Sequence, residues 1–247
     1  ETMRAFYERF YHPGNATVVI SGDVQPERAL AMVEERYGSI PAGTPWSEAD
    51  PWRPQIEAPA GSARFEMTWD DPGRRIIMAW PTAKVGTDVD FAGDVLSTLL
   101  TTGRLSRMYR NLVLDQGLAT YVSAHNDARQ EAGCFMLYAE ANQGVEIGRL
   151  EDAIRKELAD LQKAPPTEAE WQRTQSILAS GERSTIETVS GLAEHVGEYA
   201  IDSDWPLAFQ LTERRQQITS EDMKRFAAEY LTDARCITGT CLPAQGE

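Results

Sequence analysis

Residues 3–22 read Met-Arg-Ala-Phe-Tyr-Glu-Arg-Phe-Tyr-His-Pro-Gly-Asn-Ala-Thr-Val-Val-Ile-Ser-Gly, and residues 223–239 read Met-Lys-Arg-Phe-Ala-Ala-Glu-Tyr-Leu-Thr-Asp-Ala-Arg-Cys-Ile-Thr-Gly. Both run from an amphipathic helix through a turn into an apolar strand. Met3, Phe6 and Phe10 match Met223, Phe226 and Tyr230; Ile20-Ser21-Gly22 then matches Ile237-Thr238-Gly239 with three turn residues removed. A helix–strand unit of this size cannot bury its own apolar face, so each copy is expected to close a larger layered domain. Residues 63–222 stand ahead of the second copy, but only two residues stand ahead of the first. The first copy therefore reads as the tail of a domain whose body lies elsewhere, and the chain as the C-terminal piece of a longer two-domain protein.

Between the two copies the composition changes at residues 41–62. Five prolines fall between Pro41 and Pro59, with Trp46 and Trp52 among them, which predicts an extended, semi-rigid linker. The expected organisation is a helix–strand–helix tail over residues 1–40, the linker over 41–62 and a domain over 63–247. Residues 1–40 are expected to attach loosely or to pair with a neighbouring chain, because their own sheet is missing.

Beyond the linker, Arg64–Trp69 alternates as a strand with Phe65, Met67 and Trp69 on one face, and Arg75–Trp80 forms a second, mostly apolar strand. Two helices follow, residues 87–101 and 104–114, separated by Thr102-Gly103. Strands are expected near Ala119–Ala124 and Cys134–Ala141. The last third is helical, with capping signatures at Thr167/Glu170 and Thr219/Asp222 before the final strand. The order strand, strand, helix, helix, strand, strand, helices, strand predicts an α+β two-layer sandwich, a mostly antiparallel sheet packed against helices. It is not doubly wound.

Composition excludes several classes. The net charge of −14 argues against nucleic acid, which requires clustered Lys and Arg. No apolar run reaches the roughly 18 residues of a membrane span. Cys236 and Cys241 lie roughly 16 Å apart on an extended strand, and Cys134 sits in an apolar run, so free thiols are expected. No Gly-x-Ser-x-Gly elbow is present for a serine hydrolase.

One stretch is distinctive: Thr101-Thr102-Gly103-Arg104-Leu105-Ser106-Arg107-Met108-Tyr109-Arg110-Asn111-Leu112, followed by Gln116-Gly117-Leu118-Ala119. It resembles the Gly-rich turn, Ser-Arg-Leu helix and Gly-Leu-Ala strand entry of the insulinase, pitrilysin and mitochondrial-processing-peptidase family of zinc metallopeptidases. Phe6-Tyr7, Tyr11-His12-Pro13-Gly14-Asn15-Ala16 and Ser21-Gly22-Asp23 resemble a second segment of that family. The terminal Thr219 to Leu231 helix resembles a third, so the likeness spans nearly the whole chain in the right order.

The resemblance implies homologous repeated domains, a first domain carrying zinc on an inverted His-x-x-Glu-His helix, and two halves that close on an unfolded peptide. This chain has no such motif and only three histidines, His12, His125 and His195. His195 and Glu198 lie one helical turn apart, but two ligands fall short of the three that zinc takes from protein. No catalytic or metal residue is therefore assigned. Zinc is expected in the missing N-terminal catalytic domain, and the isolated chain is expected to be inactive.

In relatives, a non-catalytic domain places an Arg and a Tyr seven residues apart to hold the substrate carbonyl. The matching positions here are Val113 and Thr120, with Arg110 and Tyr121 nearby but out of register. The resemblance makes Gly103, Arg104, Arg107, Arg110 and Tyr121 the candidate substrate-binding residues. The function it implies is the C-terminal, non-catalytic half of a zinc-dependent metalloendopeptidase, forming part of a peptide-binding chamber. The alternative is an inactive partner or structural subunit of the same fold. The expected partners are an N-terminal catalytic domain or homologous subunit, a peptide substrate and, in one arrangement, a second copy. Bacterial secreted relatives point to an exported protein, although nothing within these residues shows export.

Overall fold

The computed structural model describes residues 2–45, 47 and 61–244. The expected linker lies largely outside the described residues, Trp46 and Trp52 included. The helices are α1 (Thr2–Phe10), α2 (Pro26–Tyr37), α3 (Asp88–Thr101), α4 (Ile147–Lys163), α5 (Glu168–Thr185), α6 (Val189–Asp202), α7 (Leu211–Gln217) and α8 (Ser220–Glu229). The strands are β1 (Ala63–Trp69), β2 (Arg75–Thr82), β3 (Ala119–Ala128), β4 (Gly133–Ala141) and β5 (Ile237–Pro243). The chain divides into two compact units, one of residues 1–56 and 183–208, the other of residues 57–182 and 209–247.

The larger unit holds a five-stranded sheet in the order β1-β5-β2-β4-β3. β5 runs parallel to β1, and every other pairing is antiparallel. This is the expected mostly antiparallel α+β layer. Alternation decides which side is buried. Ile76, Met78 and Trp80 of β2 and Phe135, Leu137 and Ala139 of β4 face the helices and are essentially inaccessible. Phe91, Val95, Leu96, Leu99 and Leu100 of α3 and Leu150, Ile154 and Leu161 of α4 complete the core. Deleting one such Leu side chain costs about 2–5 kcal/mol. Met223 and Phe226 of α8 are buried too, Phe226 standing edge-on to Phe135 at 5.7 Å. The Trp80 indole donates to the Thr232 carbonyl at 3.0 Å, which satisfies the one polar atom it carries into the core.

Both expected capping boxes form. Thr219 and Asp222 exchange bonds at the start of α8, and Thr167 and Glu170 do so ahead of α5. A buried polar network joins α3, β3 and α7. The Asn126 amide donates to Asp90 Oδ1 at 2.8 Å and Asp94 Oδ1 at 3.0 Å, and Arg215 donates to Asp94 Oδ2 at 2.6 Å. Burial, then the neighbouring Asp94 charge, pushes the Asp90 carboxyl up to about 6.

Two elements differ from expectation. The second helix, expected at residues 104–114, is a turn through Ser106, a helical start at residues 107–108 and then a π-helix over Tyr109–Asp115. Its widened winding shows in the Gln116 N–H, which reaches the Asn111 carbonyl at 3.0 Å. Leu105 lies outside the helix and is exposed, whereas Met108 and Leu112 are buried as expected.

The expected strand Ala16–Ser21 is the second difference. These residues leave a short turn at Pro13–Asn15 in extended geometry (Ala16 φ −122°, ψ 137°), yet no strand of the described residues pairs with them. A strand needs a ladder, and among the described residues the smaller unit contains no other strand. Neither α1 nor α2 buries a single residue, and Met3, Tyr7, Tyr11, Val18 and Leu30 are all more than half exposed.

Candidate functional site

The sheet of the larger unit has one face under the helices and one face open. Register sets the open face out in rows. Ser123, Tyr138, Ile77, Gly239 and Phe65 form one row across β3, β4, β2, β5 and β1. Tyr121, Glu140, Arg75, Cys241 and Met67 form the next. On β1 the alternation read from the sequence holds, because Arg64 on the opposite side reaches Glu151 of α4 at 2.9 Å. Phe65, Met67 and Trp69 are thereby turned outward at 53%, 48% and 62% exposure.

Gly239 lets this face form. A Cβ there would lie 2.4 Å from Phe65 Cζ and 3.0 Å from Ile77 Cγ2, so the missing side chain is the space that Phe65 fills. The result is a shallow apolar surface of Phe65, Met67, Trp69 and Ile77 open to solvent. Exposed aromatic and sulfur-bearing side chains in one contiguous patch mark a binding surface, since solvated faces alternate toward polar residues.

A polar network borders the apolar rows. Arg75 bonds Asp71 at 3.0 Å and Glu140 at 3.2 Å, and the Tyr138 hydroxyl donates to Glu140 at 2.5 Å. Burial, then the Glu140 hydrogen bond and charge, pushes the Tyr138 phenol up to about 12. The Gly73 N–H, then Arg75, holds the Asp71 carboxyl below its usual range. Arg75 itself is raised by these two carboxylates. Its charge is matched and its geometry fixed, which suits a rigid wall rather than proton transfer.

The sequence-derived candidates divide among three settings. Tyr121 stands on the open face beside Tyr138, ring centroids 6.0 Å apart. It reaches that face through a β-bulge: Ala119 pairs with Ala141 and Tyr121 with Glu140, leaving Thr120 as the extra residue. Gly103 occupies the turn after α3 with φ +83°, and a Cβ there would meet nothing within 4 Å, so its requirement is conformational. Arg104 is exposed beside it. Arg107 is engaged with Glu170 by bonds of 3.0 and 2.8 Å, and Arg110 lies 3.6 Å from Asp115 on the exposed side of the π-helix. Only Tyr121 of the five belongs to the open sheet face.

His195 is buried, with Nε2 2.9 Å from the Ala208 carbonyl, so that nitrogen is committed to the backbone. Among the described residues, no three His, Cys, Asp or Glu side chains gather as a metal site. Sequence reading did not single out Arg75, Tyr138 or Glu140 as site residues. They are joined by strand register across 65 residues, a relationship no local pattern reveals.

A family model described as the peptidase M16 inactive domain matches residues 1–178. The chain is 24% identical over 242 residues to a protein named zinc protease PqqE of Helicobacter pylori, covering 96% of this chain and 53% of that protein. A solved protease structure from Helicobacter pylori superposes with TM-score 0.89 at 22% identity, over 98% of this chain and 58% of that one. The crystal structure of a peptidase M16 inactive domain from Pseudomonas fluorescens superposes with TM-score 0.83 at 17% identity, over 99% of this chain and 57% of that one. The chain thus spans about half the length of the Helicobacter pylori relative.

Proposed function

The chain belongs to the peptidase M16 inactive-domain family, and from that premise we propose that the open sheet face forms one wall of a peptide-binding chamber. The parent protein in this reading is a zinc-dependent endopeptidase of which this chain is the C-terminal, non-catalytic part. The single observation carrying the proposal is the uncovered patch of Phe65, Met67, Trp69 and Ile77 on a sheet face that also carries Tyr121. Such a face excludes water from an extended peptide and offers aromatic edges to its side chains. The neighbouring Arg75–Glu140–Tyr138 network is bonded within itself, which holds the wall in shape.

The domain plan that goes with this reading assigns residues 1–40 to a preceding homologous domain, residues 41–62 to a linker and residues 63–247 to the wall-forming domain. Zinc belongs to that preceding domain, where it supplies Lewis-acid activation of water for amide hydrolysis. This chain's contribution is to bind and shield. The partner is the catalytic domain, and the ligand is an unfolded peptide.

Site-specific photocrosslinking tests the wall. A benzophenone amino acid replaces Phe65, Trp69 or Tyr121, or the exposed Asp152 of α4 as a control, in the gene product expressed from its own start codon. A labelled unfolded peptide should be captured at the three open-face positions and not at 152. Equal capture at all four, or capture only at 152, contradicts the proposal.

A further inference from the structure

We infer that the cleft between the π-helix and helices α4 and α5 binds a carboxylate-bearing ligand, held by the guanidinium of Arg173. The cleft is lined from residues 105–115, from α4 and from residues 167–173 at the start of α5. None of the open-face residues named above lines it, so the inference stands independently of the chamber reading.

The argument starts from the cost of drawing a charge partly out of water. A guanidinium that loses hydration recovers it by donating to an oxygen. The half-buried arginines among the described residues of the larger unit obey this rule with one exception. Arg75, Arg107 and Arg215 hold the carboxylates described above. Arg155 donates to Glu151 at 2.7 Å, Arg214 to Asp88 at 3.0 Å and Arg235 to the Pro81 carbonyl at 3.0 Å, and Arg74 lies 3.6 Å from Glu146. Arg173 is the exception: half-buried on α5, it makes no hydrogen bond or ion pair with any described residue.

The carboxylates nearest to hand are committed elsewhere. Four of them line the cleft with Arg173. Glu170, one helical turn before it, is gripped by Arg107 and also accepts the Thr167 hydroxyl. Asp115 lies 3.6 Å from Arg110, and Asp160 accepts from Lys156 at 3.0 Å. Glu157, only 7% exposed, accepts the Asn111 amide at 2.9 Å. The other three cations of the cleft are thus each matched to a carboxylate, and Arg173 is left over.

The surroundings select the ligand. The planar fork of an arginine matches a carboxylate through two parallel bonds, as Arg107 and Glu170 show in the same cleft. A phosphate would bring a second negative charge into a space that Glu157 and Asp160 already line, so a single carboxylate fits better. The cleft measures about 620 Å³, within the span of about 300–1,000 Å³ common to small-ligand sites. Leu105 lines it while 64% exposed, and offers apolar contact to the carbon chain behind the carboxylate. A peptide C-terminus, an acidic side chain and a small aliphatic acid share this chemistry.

NMR of isotope-labelled arginine side chains in the gene product, expressed from its own start codon, tests the inference. N-acetylglycine should shift the Arg173 Nε–H signal saturably, and N-acetylglycinamide should leave it in place. Arg173→Gln should weaken N-acetylglycine binding at least about tenfold, the scale of a lost bond to a charged group. Arg173→Lys should recover only part of that loss, because lysine cannot present two parallel donors. Labelled peptides of one otherwise neutral sequence tell the sources apart. Preference for a free over an amidated C-terminus names a chain end, and preference for an amidated peptide bearing one Asp names an acidic side chain. N-acetylglycine binding with no preference among the peptides names a small acid, and all three support the site. An Arg173 signal that N-acetylglycine does not move, or that the amide moves equally, overturns the inference. So does tighter binding of inorganic phosphate, or unchanged affinity in Arg173→Gln. If that variant fails to fold, the wild-type signal alone decides.

Discussion

Arg107 grips Glu170 through two parallel bonds, Nε to Oε1 at 3.0 Å and Nη2 to Oε2 at 2.8 Å, with side chains only 17% and 20% exposed. Glu170 Oε2 also accepts the Thr167 N–H and hydroxyl, so one carboxylate ties the segment after the Gly103 turn to the start of α5. Arg107→Ala should destabilise the protein by about 1–3 kcal/mol, the scale for leaving a shielded charge unpaired. Arg104→Ala and Arg110→Ala should each stay within about 0.5 kcal/mol. Lysine at 107 should restore little, because it cannot present two parallel donors. Urea unfolding distinguishes these outcomes, and a neutral Arg107→Ala would contradict the pairing.

Two of the shifted carboxyls, Glu170 and Asp90, predict opposite pH behaviour. Burial raises Glu170, but the bonds from Arg107 and Thr167 outweigh it and hold the group down to about 2. Its contribution to stability is therefore present above its ordinary value of 4.5 and lost as pH falls toward 2. Asp90 is raised from 3.8 to about 6, so its ionised form destabilises the fold above pH 6 and that penalty disappears as pH drops toward 3.8. The melting temperature of the wild type minus that of Asp90→Asn should be largest near pH 4 and shrink as pH rises through about 6. A flat difference across that window would contradict the buried setting of Asp90.

Gly239→Ala should cost about 1–3 kcal/mol, the range for overpacking, since its Cβ would meet Phe65 and Ile77. Removing the obstacle should relieve it: the double variant Gly239→Ala/Phe65→Ala should be more stable than the sum of the two single effects predicts. Thermal melts of the four proteins measure this coupling, and strict additivity would contradict the contact.

Trp69→Ala should leave stability within about 1 kcal/mol, because the side chain is already 62% exposed. In the gene product it should weaken binding of an unfolded peptide by about tenfold, near 1.4 kcal/mol. Fluorescence anisotropy of a labelled peptide reads the change. Unaltered affinity in both Trp69→Ala and Phe65→Ala would remove β1 from the binding surface.

Much of the fold was legible because its signals are local. Alternation at Phe65, Met67 and Trp69, the pairs Thr167/Glu170 and Thr219/Asp222, and the helical period of Leu150, Ile154, Leu158 and Leu161 each report on neighbours within a turn or two. The π-helix escaped because one extra residue in a helical turn leaves Met108 and Leu112 on the buried side, as an α-helix would. Ala16–Ser21 has the composition of a strand, but composition does not supply the neighbour that makes one. Of the candidate residues read from the sequence, Tyr121 alone lies on the open sheet face. Arg75, Tyr138 and Glu140 meet through strand register, and Arg107 proved to be bonded to a carboxylate whose distance in sequence hides it.

The role proposed for this chain is the non-catalytic part of a zinc peptidase. The most direct test measures zinc content and cleavage of an unfolded peptide in the gene product and in the 247-residue chain side by side. The account predicts roughly one zinc per polypeptide and cleavage in the first, with neither in the second. Stoichiometric zinc and cleavage by the 247-residue chain alone, or a complete gene product with neither, would contradict it.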